Sequence, residues 1–213
     1  PEGLDVKRTE LTLWKKIKQK CIEGRRTGVG ITAEGDMLAA LGKVYGTDEA
    51  LDFSVKVHKT LALEAYRSSV EMAKDRGSFP IYDSIREEKN PMVNRIKEAD
   101  PALYEDMVKY GRRNIALLTI APTGTTSIMT QTTSGIEPVF MVSYKRRRKV
   151  HPNVKSVKVD FVDEVGDAWE DYNVFHHHFK SCLYKNGYYS TEVATYGEEE
   201  LNKIFANTPY YGA

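Results

Sequence analysis

The 213 residues carry 31 Lys and Arg against 30 Asp and Glu, a formal net charge of +1, with 29% charged and 41% hydrophobic residues. That balance describes a globular chain able to bury a core as one large domain or two small ones; it excludes a disordered tail and any global pull toward nucleic acid or anionic membrane. Cys21 and Cys182 lie far apart without CxxC spacing, which argues against a zinc site or a disulfide framework and fits a reducing cytoplasm, and neither a signal-like start nor a membrane-spanning apolar run is present.

In chain order, Leu11, Trp14, Ile17 and Cys21 or Ile22 recur at helical spacing within Leu4 to Glu23, with Lys and Arg on the other face, so an amphipathic helix closed by Gly24 is expected. In the following Arg25 to Gly42, the glycines at 28, 30 and 35 miss the dinucleotide fingerprint: the last spacing is too long and a helix precedes them, not a strand. The plainer expectation is a glycine-rich turn that lets a helix, Asp36 to Leu41, pack close to neighbouring backbone. Asp48 to Arg76 is the longest periodic stretch and predicts one long helix stopped by Gly77. His58 and Glu64 lie on it, in the charged setting where such residues are normally solvated, and no metal role is assigned to them. Phe79 to Tyr82 reads as an extended exit, Asn90-Pro91 as the start of a short helix, and Pro101 to Tyr110 as another.

From Ile115 to Ile120 an apolar, β-branched run predicts a buried strand that ends in Ala-Pro-Thr-Gly-Thr-Thr-Ser. A strand ending at a Pro/Gly break beside Thr123, Thr125, Thr126 and Ser127 delivers N–H groups and hydroxyls to one spot. That suits an anion, most simply a phosphate, if a helix begins after Gly124. Taken alone, the same letters also read as a hydroxyl-rich capping turn.

Beyond Phe140, Tyr144 to Lys149 forms the one dense basic run, on a predicted strand edge. It reads either as a contact for phosphates or an acidic partner, or as a salt-bridged strand. Lys155 to Val162 and Ala168 to Phe175 bracket Asp163 to Asp167 as a β-hairpin. His176-His177-His178 could meet a metal, but adjacent histidines cannot all aim at one ion from regular structure, so a solvated or helix-starting cluster is expected. A final helix is expected from Gly197 to Ala206, before a turn-prone end at Asn207 to Gly212. The start at Pro1 without Met and the stop at Ala213 raise the expectation of a piece of something longer.

Taken together, Arg112-Arg113-Asn114, Leu118 to Ser127 and Thr133-Ser134-Gly135-Ile136-Glu137-Pro138 closely resemble the substrate-phosphate loop of the ribonucleotide reductase large chain, in the flavour of the adenosylcobalamin-dependent (class II) enzymes. Arg26 to Thr32, leading to Asp36 and Leu41, and the long helix after it resemble the same family's catalytic barrel in the same order. The resemblance covers Pro1 to about Lys149 and, more loosely, the rest through Tyr210. It implies an α/β fold: a section of a ten-stranded α/β barrel, mainly helical over 1–110, with strand, phosphate loop and basic strand over 111–150, and hairpin and terminal helices over 151–213. It also implies a cytoplasmic enzyme that reduces the ribose 2′-hydroxyl by thiyl-radical chemistry to make deoxyribonucleotides.

The family's phosphate-holding role maps onto Pro122, Thr123, Gly124, Thr125, Thr126 and Ser127. The family's NPC-x-E-like catalytic motif and its C-terminal redox cysteines have no match here. Cys21 and Cys182 therefore receive no catalytic role, no metal ligand is assigned, and the chain alone is expected to be inactive. The implied partners are a ribonucleotide, through its phosphates, and the rest of the parent chain; neither membrane nor nucleic acid is expected. Adenosylcobalamin is implied for the parent enzyme, without strong binding to this piece. Two alternatives stand beside this: a stand-alone nucleotide- or phosphate-binding module, and an interaction domain built on the basic run.

Overall fold

A computed structural model describes residues 3–150, 158–189, 193 and 196–210. The chain divides into two compact units, Pro1–Gly30 with Ser54–Ile120, and Ile31–Phe53 with Ala121–Ala213. No described helix is long and apolar enough to cross a membrane.

The first unit holds α1 (Leu4–Gly24), most of α3 (Asp48–Arg76), α4 (Ser84–Glu87), α5 (Pro91–Ala99) and α6 (Pro101–Tyr110). The starts of α4, α5 and α6 are written locally. The side chains of Asp83, Asn90 and Asp100 accept from the first N–H groups of α4, α5 and α6, and Pro91 and Pro101 occupy first-turn positions whose N–H has no helical acceptor. Tyr66 and Val70 of α3, Val93 and Ile96 of α5, Leu103 and Met107 of α6, and Leu117 form its core. Arg112 is 1% exposed at its edge. Its guanidinium donates to both carboxylate oxygens of Glu87 at 2.7 and 3.1 Å and to the carbonyls of Asn114 and Ile115, and it lies 5.6 and 5.5 Å from the ring centres of Tyr66 and Phe79. Fully paired and stacked, the charge can sit out of water.

Three expectations change in this unit. Residues 115–120 make no regular strand. They run parallel to residues 24–29 through single bonds (Thr27 N–H to Ala116 O, Val29 N–H to Leu117 O, Thr119 N–H to Val29 O), with one bridge at Val29 and Leu118. Paired along one side, the segment buries Leu117 but leaves Ile120 65% exposed. Phe79 to Tyr82 closes a turn, Tyr82 N–H donating to Phe79 O at 2.9 Å, so that Phe79 is buried. On α1 the predicted helix forms, yet Leu11, Trp14, Ile17 and Ile22 stay exposed, and its left-handed closing residue is Arg25 at φ 47°. Gly30 lets its segment approach residue 119 closely, since a Cβ there would collide with Thr119 O.

The second unit holds α2 (Glu34–Ala40), the start of α3, α7 (Gly124–Thr130), strands β1 (Ser143–Lys149), β2 (Phe161–Val162) and β3 (Ala168–Phe175), then α8 (His177–Lys185) and α9 (Glu198–Phe205). The strands form an antiparallel sheet in the order β1-β3-β2. The predicted hairpin turn is built by Asp163, whose carboxylate accepts from the N–H groups of Val165 and Asp167 and from Trp169 Nε1. Of its first arm, 155–157 lie outside the described residues and only Phe161–Val162 is strand. Three cations of the basic run meet carboxylates of β3 and the hairpin turn: Arg147 grips Asp171 at 2.8 and 3.1 Å, Arg148 meets Glu170 at 2.7 Å, and Lys149 pairs with Asp167. The core gathers Ala39, Val139, Phe179, Leu183, Leu201 and Tyr210. Gly35 lets α2 lie against residues 137 and 138, where a Cβ would stand 2.6 Å from Glu137 O.

Candidate functional site

Pro122 to Ser127 span the entry into α7, all within the second unit. Thr123 precedes the helix in the left-handed region (φ 36°, ψ 25°), and no side chain caps α7. Ser127 N–H donates to Thr123 O, so the N–H groups of Gly124, Thr125 and Thr126 are those that an α-helix leaves without internal acceptors. Pro122, Gly124, Thr125 and Thr126 are exposed and Ser127 is buried.

The hydroxyls divide into two groups. Thr123 Oγ1 accepts the Gly135 N–H at 2.7 Å and lies 3.1 Å from Thr32 Oγ1, which donates to Thr133 O at 3.3 Å. Thr32 has one hydroxyl hydrogen; given to that carbonyl, it leaves Thr123 as donor to Thr32. Ser127 Oγ donates to Gly124 O at 2.8 Å. Thr123 and Ser127 thus brace the loop, while Thr125 and Thr126 face outward.

The 132–135 segment that receives these bonds is itself held by Asp36. Its Oδ2 accepts Thr133 N–H at 2.8 Å, and its own N–H meets Thr133 Oγ1 at 3.3 Å. Asp36 Oδ1 pairs with His176 Nε2 at 2.8 Å and accepts from Tyr210 Oη at 3.1 Å. Burial opposes the charged form of Asp36. The hydrogen bonds from His176, Thr133 N–H and Tyr210 outweigh it and hold the carboxyl below its ordinary value, while burial and the Asp36 charge push the Tyr210 phenol well up. Ser127, Thr132 to Ser134, Phe140, Met141, Tyr144 and His176 line an open cleft of about 470 Å³.

Sequence reasoning located the loop but missed this anchor. Asp36 stood only as a helix start, and His176 belonged to a triplet expected to be solvated or helix-starting. The structure divides that triplet: His177 begins α8 and is exposed with His178, whereas His176 caps the helix with its ring drawn to Asp36. Cys21 is exposed on α1 and Cys182 lies on α8, and neither lines the cleft. Among the described residues no group of three or more His, Cys, Asp or Glu is placed to hold a metal.

Residues 6–208 match the family model of the ribonucleotide reductase barrel domain, and the chain belongs to that family. Among curated proteins it is 30% identical over 122 residues to a vitamin B12-dependent ribonucleoside-diphosphate reductase of Mycobacterium tuberculosis, covering 57% of this chain and 15% of the relative. It is 31% identical over 132 residues to the enzyme of the same description from Thermoplasma acidophilum, covering 62% and 15%. To the ribonucleoside-diphosphate reductase subunit alpha of Chlamydia pneumoniae it is 31% identical over 144 residues, covering 59% and 14%. The chain thus spans about 15% of the length of these relatives.

Proposed function

We propose that this chain is the substrate-phosphate-holding section of a cytoplasmic ribonucleotide reductase, part of a ten-stranded catalytic barrel that converts ribonucleotides to deoxyribonucleotides. The observation that carries the reading is the pairing of a family match over residues 6–208 with an uncapped, outward-facing helix entry at Gly124 to Thr126. In this reading the N–H groups of Gly124, Thr125 and Thr126 and the hydroxyls of Thr125 and Thr126 receive the phosphates. Pro122, Thr123 and Ser127 fix the loop's shape, and Asp36 holds the segment behind it. Preorganised donors need no rearrangement when the anion arrives, and anchoring the phosphate end places the ribose for reaction elsewhere in the barrel.

The relatives' names point to vitamin B12 for the parent enzyme. The histidine in the cleft has its Nε2 committed to Asp36, so that nitrogen is not available to a corrinoid metal. With neither cysteine at the cleft, the radical chemistry belongs to other parts of the parent enzyme, and the chain alone does not turn over. The interaction-domain alternative is weakened in part, because Arg147, Arg148 and Lys149 of the Lys145 to Lys149 run pair with carboxylates of β3 and the hairpin turn.

Calorimetric titration with ribonucleoside diphosphates tests the proposal. Replacing the exposed Thr125 with Glu sets a carboxylate where the phosphate would sit and is expected to weaken binding at least about ten-fold, or ~1.4 kcal/mol. Equal affinity of wild type and variant would remove the loop from substrate binding.

A further inference from the structure

Within the first unit, Lys18, Arg25, Arg26, Arg76 and Arg113 line one open cleft of about 480 Å³, and no carboxylate lines it. It shares no residue with the phosphate loop. Part of this charge has an ordinary explanation. Arg25 closes α1 through its N–H to Cys21 O, and Arg113 Nη1 donates to the carbonyls of Arg76 and Gly77 at 2.8 and 3.0 Å where α3 ends. Helix C-termini welcome cations, but each supplies only roughly half a negative charge. Two such ends leave five side-chain cations far from balanced. Of the carboxylates closest in sequence, Asp75 does not line the cleft, and Glu23 is engaged with Lys20 at 2.7 Å.

Two further observations favour an anion at this cleft. Arg25 Nε is buried and has no hydrogen-bond partner, an orphaned donor of a kind that folded proteins seldom leave unsatisfied. The Arg113 guanidinium is pushed below its ordinary value by burial and by the neighbouring Arg25 and Arg76 charges, so the cluster is self-repelling as it stands.

We propose that this cleft is a second anion site, which takes a compact oxyanion of multiple charge such as a di- or triphosphate group. Guanidinium forks match phosphate oxygens in pairs, and several converging on one concavity favour a compact group over an extended strand. Bound there, the oxyanion supplies an acceptor for Arg25 Nε and relieves the repulsion around Arg113.

The test uses the whole chain carrying Thr125→Glu, so that the proposed substrate loop no longer contributes, and titrates inorganic pyrophosphate calorimetrically. Binding is expected to persist in this background, to weaken with added salt, and to fall at least ten-fold when Arg26→Gln and Arg76→Gln are added. Both arginines are exposed, and circular dichroism of the variant verifies its fold. Loss of all binding with Thr125→Glu alone, or affinity indifferent to the arginine pair, overturns the proposal. A nucleoside triphosphate that binds tighter than inorganic triphosphate in the same background identifies the ligand as a nucleotide; equal affinity identifies the free polyphosphate. The loop reading fails separately, if Thr125→Glu leaves nucleotide affinity unchanged in an otherwise unaltered chain.

Discussion

Asp36 and His176 lie 140 positions apart in the chain and 2.8 Å apart in space, Oδ1 to Nε2. The same carboxylate accepts Thr133 N–H and Tyr210 Oη, so one side chain ties α2, the loop segment, the α8 cap and the last described turn together. Truncating it strands three donors at once. Asp36→Ala is therefore expected to destabilise the chain by about 2–4 kcal/mol, since charge-assisted bonds contribute about 1.5–3 kcal/mol each and their losses overlap. The midpoint of chemical denaturation measures it, and a loss below about 1 kcal/mol would mean that the cluster is not an anchor.

The same cluster sets a pH window. The folded value of Asp36 lies below the ordinary 3.8, so its stabilisation is complete above that value and is lost as pH falls through the folded one. The Tyr210 phenol is shifted the other way, above 10.0, so its share is complete below that value and lost as pH rises through the folded one. Melting temperature against pH should show both limbs, and Asp36→Asn should flatten the acid limb.

Arg112 offers a separate stability test in the first unit. Arg112→Ala leaves Glu87 half of a broken pair and two carbonyls without their donor, a change expected to cost about 3 kcal/mol or more. Arg112→Lys keeps the charge but not the fork that spans both Glu87 oxygens, and should recover less than half of the loss in denaturation midpoint.

Glycine substitutions separate fold from binding. Gly30→Ala drives a methyl to 2.2 Å from Thr119 O and should destabilise by about 1–3 kcal/mol. Gly124→Ala meets nothing within 4 Å and gains helix propensity, so folding should be unharmed. If the loop backbone approaches phosphate there, nucleotide affinity in a calorimetric titration should nevertheless fall.

What could be read from the residues was whatever their neighbours in sequence dictate. The helix over Asp48–Arg76 and the one over Pro101–Tyr110 fall where periodicity, Gly77 and Pro101 place them. Helix α4 was invisible because four residues carry no period, although Asp83 signals its cap. Residues 115–120 show why apolar runs mislead: burial of a strand depends on neighbours along both edges, and among the described residues it pairs along one, with residues 24–29. The hydroxyl cluster of the loop was local and therefore legible. Asp36, Thr133, His176 and Tyr210 share no spacing that a linear reading could detect, because their separations from Asp36 run to 97, 140 and 174 positions.

Those separations also impose a timetable during synthesis. Asp36 leaves the ribosome 174 residues before Tyr210, an interval of roughly 10–35 s at typical elongation rates of about 5–20 residues per second. Once residues 122–135 have emerged, the loop still lacks the last of the donors that fasten the segment behind it, and that anchor closes only after Tyr210 has been made.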